Sequence, residues 1–162
     1  MMDSEQKKHL AAQVAASVII GIVMNTALTM LLFERGAIPV WGTGGAAFDL
    51  VPTTIMSVFL SFLIPGHVTA RRRRSGVLHA LGSAPRRHPA RPFIHALALS
   101  IFATALLPPI AWTLLSMASA ATIDFQHLLL FKLPYGAILG GLAAAAAVFQ
   151  ALRPSASISD PA

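Results

Sequence analysis

The stretch LAAQVAASVIIGIVMNTALTMLLF, Leu10–Phe33, runs 24 residues without a charged side chain. A hydrocarbon core about 30 Å thick takes about 20 mostly apolar residues in helix, so this segment is long enough to cross it. Lys7 and Lys8 precede it, as in a secretory signal. Its apolar run nevertheless exceeds the roughly 7–15 residues of a signal, and Phe33-Glu34-Arg35 follows where a small-x-small cleavage site would stand. The reading is a retained helix. Three further windows have the same character, roughly Leu50–Val68, Phe93–Met117 and Leu128–Leu152. In lipid each backbone N–H and C=O must be satisfied within its own segment, so all four are expected to be helical.

Composition agrees with the windows. Of 162 residues, 56% are hydrophobic and 11% are charged, whereas a soluble domain is about a quarter charged. Too little polar surface remains to cover a globule in water. The absence of cysteine excludes a disulfide framework, thiol redox chemistry and thiolate metal sites. The expected fold is therefore an all-α membrane protein: four transmembrane helices, paired as two hairpins, form a compact bundle with both termini cytoplasmic. Residues 1–9 form the N-terminus, 10–152 a single transmembrane domain with a basic loop at 69–92, and 153–162 a short tail.

Orientation follows from the basic residues, because loops rich in Lys and Arg stay in the cytoplasm. Of the 12 Lys and Arg residues, only Arg35 and Lys132 fall at the end away from the termini. Arg71, Arg72, Arg73, Arg74, Arg86, Arg87 and Arg91 all lie in the middle loop. A basic cluster directly after a membrane helix sets topology and contacts anionic headgroups, at about 1 kcal/mol per residue, so these arginines are assigned to lipid and not to nucleic acid. Trp41, Trp112 and Tyr135 map to the opposite end, as an aromatic belt would. A shift that carries Pro52 onto Pro134 and Arg71 onto Arg153 superposes the two hairpins. It admits a duplicated hairpin with a pseudo-twofold axis along the membrane normal, although the aligned first and third spans share few residues.

Every span carries small or polar side chains four residues apart: Gln13, Ser17, Gly21, Asn25 and Thr29 in the first, then Thr53, Ser57 and Ser61, then Ala96, Ser100 and Thr104, and finally Gly136, Gly140 and Ala144. Residues at that spacing share a helix face, and close approach of small residues is the main packing force between helices in lipid. The faces are expected to hold the bundle together, the polar members pointing inward. The alternative is that they line a polar passage. Asn25 is expected to turn its amide into the bundle and bond across helices, since an amide facing lipid costs roughly 2–7 kcal/mol. Pro108-Pro109 predicts a kink in the third span.

Asp49 and Lys132 are the charges nearest the membrane at the far end. Asp49, just before Leu50-Val51-Pro52, fits a helix cap with Pro52 in the first turn. Lys132 lies one turn inside the fourth span, where its stem could snorkel outward. An Asp49–Lys132 pair is the best candidate for a functional site. His9, His67 and His95 fall near the cytoplasmic ends of three helices but lack the spacing of a helical ligand pair, so neither metal nor cofactor is expected. The outer acid–base candidates are Asp49, Asp124 and His127, which show no diagnostic spacing.

The hairpin layout resembles that of small multi-pass proteins of bacterial inner membranes, a likeness of architecture that carries no residues across. The function expected is non-enzymatic: association with itself or with membrane partners through the small-residue faces. An oligomeric small transporter or channel is the alternative, and a membrane enzyme acting on lipid or peptide the second alternative.

Overall fold

Asp3 starts the first helix. Its carboxylate accepts the Gln6 backbone N–H at 2.7 Å while the Gln6 side chain accepts the Asp3 N–H at 3.0 Å, a reciprocal pair that satisfies two donors a helix start leaves orphaned. In the computed structural model, which describes residues 2–81, 92–118 and 121–153, the apolar windows become α1 (Ser4–Leu32), α2 (Ala46–Arg74), α3 (Pro92–Ala118) and α4 (Phe125–Leu152). All four are long and apolar enough to cross a membrane.

The helices outrun the windows read from hydropathy. α2 begins at Ala46, not Leu50, with Gly45 as an N-cap that makes no side-chain bond. Asp49 therefore sits within the first turn instead of capping it, and Pro52 lies inside the helix. At its other end α2 continues through all four arginines of 71–74, so they are helical and not loop. It stops where Gly76, at φ 76°, turns the chain: Val77 N–H bonds to Arg72 O at 3.1 Å and Gly76 N–H to Arg73 O at 3.2 Å. That is the paired closure of a Schellman stop, and its left-handed residue favours glycine. α3 is continuous as a helix through Pro108 and Pro109.

The segment after α1 holds structure that hydropathy does not signal. β1 (Ala37–Pro39) pairs antiparallel with β2 (Thr122–Asp124), with Ile38 opposite Ile123. Val40 N–H adds a bond to Ala121 O at 3.0 Å, and Phe125 N–H one to Gly36 O at 3.0 Å. Ile38, Val40 and Ile123 face inward onto Leu50, Leu115 and Leu128, so the ribbon closes that end of the helices. Trp112 of α3 fastens the same end, its Nε1–H donating to Ala47 O at 2.6 Å.

The helices do not pack chiefly within their own hairpins. α4 lies against α1 and α2, and α3 lies against α2, while α1 meets α2 only briefly. α2 and α4 run parallel, with Asp49 at Lys132, Thr54 at Tyr135 and Gly66 at Ala147. Each hairpin thus lays its first helix on the second helix of the other, in the order αβα twice over. Two like hairpins related by a pseudo-twofold axis along the helices would be arranged this way.

Candidate functional site

The α1–α4 seam is built on backbone contact. A methyl group added at Gly21 would collide with the Gly136 carbonyl, and one added at Gly140 with the Ser17 carbonyl. Ser17, Gly21, Asn25 and Thr29 are the buried residues of the membrane-crossing part of α1, and Gly136, Gly140 and Ala144 are buried on α4. Ser57, Ser61 and Ser100 are buried as well, while Gln13 and Thr104 are half-buried. The small faces are therefore used for packing inside the chain.

Most polar members bond to their own helix. Thr29 Oγ1 donates to Asn25 O at 2.7 Å, Ser100 Oγ to Ala96 O at 2.8 Å, and Thr104 Oγ1 to Ser100 O at 2.7 Å. These are the i to i−4 bonds by which a hydroxyl hides in an apolar helix. Asn25 behaves the same way, its Nδ2 donating to Gly21 O at 2.8 Å and not to another helix as its sequence position suggested. Its Oδ1 is buried with no hydrogen-bond partner.

At the ribbon end, Lys132 and Asp49 meet. The Lys132 ammonium donates to Asp49 Oδ2, with the lysine side chain fully buried and Asp49 nearly so. Thr53 Oγ1, one turn on from Asp49, approaches the other carboxylate oxygen at 3.4 Å. The Phe33 ring lies 6.0 Å from the ammonium. Thr54 Oγ1 and Tyr135 Oη, 2.6 Å apart, form a second polar link between α2 and α4. Lys132 does not snorkel: it begins the second turn-pair of α4, on the face that Leu128 and Gly136 also bury. The early start of α2 likewise puts a carboxylate inside a span, where the sequence reading had none.

The other acid–base candidates have separate work. Asp124 caps α4, its Oδ2 accepting the Gln126 N–H at 2.9 Å, and His127 is exposed. At the end bearing the termini, Arg72 donates to His9 Nδ1 at 3.3 Å, so the proton sits on Nε2, which donates to Thr69 Oγ1 at 2.9 Å. Gln6 Nε2 reaches His79 O at 2.9 Å. Arg73 Nη1 donates to Ala151 O at 3.0 Å and also to Arg153 O, which places a cation on the negative end of α4. Among the described residues, no three His, Asp or Glu side chains gather as metal ligands would. Arg71 and Arg74 are exposed, and Arg86, Arg87 and Arg91 lie outside the described residues. No protein-family model matches the chain, and no curated protein or solved structure matches it either.

Proposed function

We propose that the chain is a non-enzymatic multi-pass protein of a bacterial inner membrane, with both termini cytoplasmic, that acts through what it binds. Its partners on this reading are anionic headgroups at the basic end and other membrane proteins, a second copy of itself included. The observation that carries it is the closed interior: the one opposed charge pair inside the described bundle is spent on itself, and the small-residue faces of α1 and α4 are spent on packing against each other. Association is left to the outward side chains of α1 and α3, such as Ile19, Ile101, Phe102 and Leu106.

A second reading, an oligomeric transporter, is favoured by one specific observation. A buried carboxylate and ammonium within membrane helices, with the unpartnered Asn25 oxygen on the neighbouring seam, are the groups ion pathways employ. Reconstitution separates the two readings. On the first, single-molecule photobleaching in liposomes counts two or more copies per complex across lipid-to-protein ratios, and the vesicles hold proton, sodium and potassium gradients as tightly as empty ones. A gradient lost through the wild-type protein and kept with Asp49→Asn would establish the second reading.

A further inference from the structure

A cleft of about 550 Å³ opens beside the α2–α4 contact at the end bearing the termini, within the roughly 300–1,000 Å³ that suits a small organic ligand. Its inner wall is apolar, from Phe62, Leu63 and Val68 of α2 and Ala147 of α4. Gly66 and Ala70 on α2 and Ala147 and Ala151 on α4 are small, which is why there is room. The mouth is basic. His67, Arg73 and Arg74 line the cleft, and a smaller pocket of about 300 Å³ lined by His67, Ala70, Arg71 and Arg74 adjoins it.

The gradient from apolar to basic follows from helix geometry. Leu63, His67, Ala70 and Arg74 recur at three- and four-residue intervals, so they share one face of α2. From Leu63 to Arg74 the helix rises about 16 Å at 1.5 Å per residue, about the hydrocarbon depth of one leaflet. The four arginines also divide by duty. Arg72 bonds to His9 and Arg73, on the cleft wall, to the end of α4, whereas the exposed Arg71 and Arg74 border the adjoining smaller pocket.

We infer that this cleft is a binding site for one anionic phospholipid, its phosphate held by Arg74, Arg71 and His67 and an acyl chain lying along Leu63 and Ala147. Guanidinium groups pair with phosphate oxygens through two parallel N–H donors, which an ammonium cannot do. The apolar wall then distinguishes a lipid from a free anion. The inference rests on the reading of the basic end as facing anionic headgroups, and it narrows that reading from a diffuse surface to one place.

Native mass spectrometry of the detergent-solubilised protein with added phosphatidylglycerol, phosphatidylcholine or inorganic phosphate tests it. One phosphatidylglycerol should be retained per chain, in preference to phosphatidylcholine and undisplaced by inorganic phosphate. Arg74→Gln combined with His67→Gln should lower retention by about fivefold or more, on the scale of a single basic residue at a membrane surface. Ala70→Trp, which keeps every charge and fills the wall, should lower it similarly, and Ala70→Leu part of the way. Lys8→Gln, which removes a charge at the same end, should leave it unchanged. Phosphatidylglycerol preference that ignores the Ala70 and Arg74 variants would overturn the cleft while leaving the headgroup reading standing. Equal retention of both lipids would remove both, and displacement by inorganic phosphate would replace the lipid with a soluble anion.

Discussion

Lys132 and Asp49 stand 83 positions apart and touch, a separation one residue from the shift that carries Pro52 onto Pro134. On that shift, nearly equivalent positions of the two hairpins meet face to face, where a pseudo-twofold axis would pass, and they carry opposite charges. Each ion offsets part of the other's desolvation, and removing one strands the other in a water-poor seam. Asp49→Asn and Lys132→Met should each cost about 3–5 kcal/mol, and the double change distinctly less than their sum. A double-mutant cycle by thermal or denaturant unfolding in detergent checks this, and losses that add within about 0.5 kcal/mol would show the two groups acting separately.

Gly140 offers a more local test of the seam. A single methyl there runs into the Ser17 backbone, which cannot rotate away as a side chain could. Gly140→Ala should destabilise by about 1–3 kcal/mol, the range of overpacking. Leu142, two residues on, is 65% exposed within the chain, and Leu142→Ala should be nearly neutral. Detergent-resistant folding of the two variants, compared side by side, reads the difference, and equal tolerance would count against α1–α4 contact at Gly140.

The four helices are legible in the sequence because length and lack of charge alone demand them, and the four-residue stripes on α1 and α4 announce the faces that meet. The helix starts are less legible. Asp49 followed by Pro52 imitates a capped start, whereas the actual start at Gly45 has no side-chain bond to betray it. The Asp3–Gln6 capping box was readable but stands ahead of the apolar run, where hydropathy does not look. The ribbon was invisible for another reason: three residues per strand are too few for any periodicity, and the pairing joins segments that only the packed helices bring together. Of the candidate site, the charges were nameable from position, but the burial of Lys132 depended on the start of α2. The cleft depended on small residues of α2 and α4, silent until the helices lie side by side.

The ribbon itself can be trapped. With no native cysteine, Ile38→Cys paired with Ile123→Cys creates the only thiols, on directly opposed residues whose side chains share a face. Opposed strand positions bring Cβ atoms about 4.5–5.5 Å apart, close to what a disulfide spans. Mild oxidation in membranes should cross-link this pair quickly and within one chain, giving a faster-migrating monomer. Ile38→Cys with Thr122→Cys, whose side chain takes the opposite, exposed face of the ribbon, should react far more slowly, and comparable rates would argue against the register.

Orientation is tested by reporters. If the basic asymmetry sets topology, a fusion at Gly42 should be active as a periplasmic reporter and one at Ser83 only as a cytoplasmic reporter. Periplasmic activity at Ser83 would invert the chain. It would also place the cleft of Arg71 and Arg74 in the outer leaflet.

Asn25 separates stability from use. Its Nδ2 bonds to a Gly21 carbonyl that belongs to its own helix, and its Oδ1 is buried without any partner. A buried acceptor left unsatisfied costs about 1–3 kcal/mol, while replacing such a group by an apolar one of the same shape can be neutral or better. Leucine has nearly the outline of asparagine, and Gly136 leaves room at that point for no larger side chain, since a methyl there would already strike the Asn25 amide. Asn25→Leu should therefore fold as well as the wild type or gain up to about 1 kcal/mol, whereas Asn25→Phe should fail to pack. Unfolding in detergent measures both. A clear loss of stability in Asn25→Leu would mean that the amide holds the seam after all. Unchanged stability with altered oligomer counts or gradient retention in liposomes would mark the amide as a group kept for function.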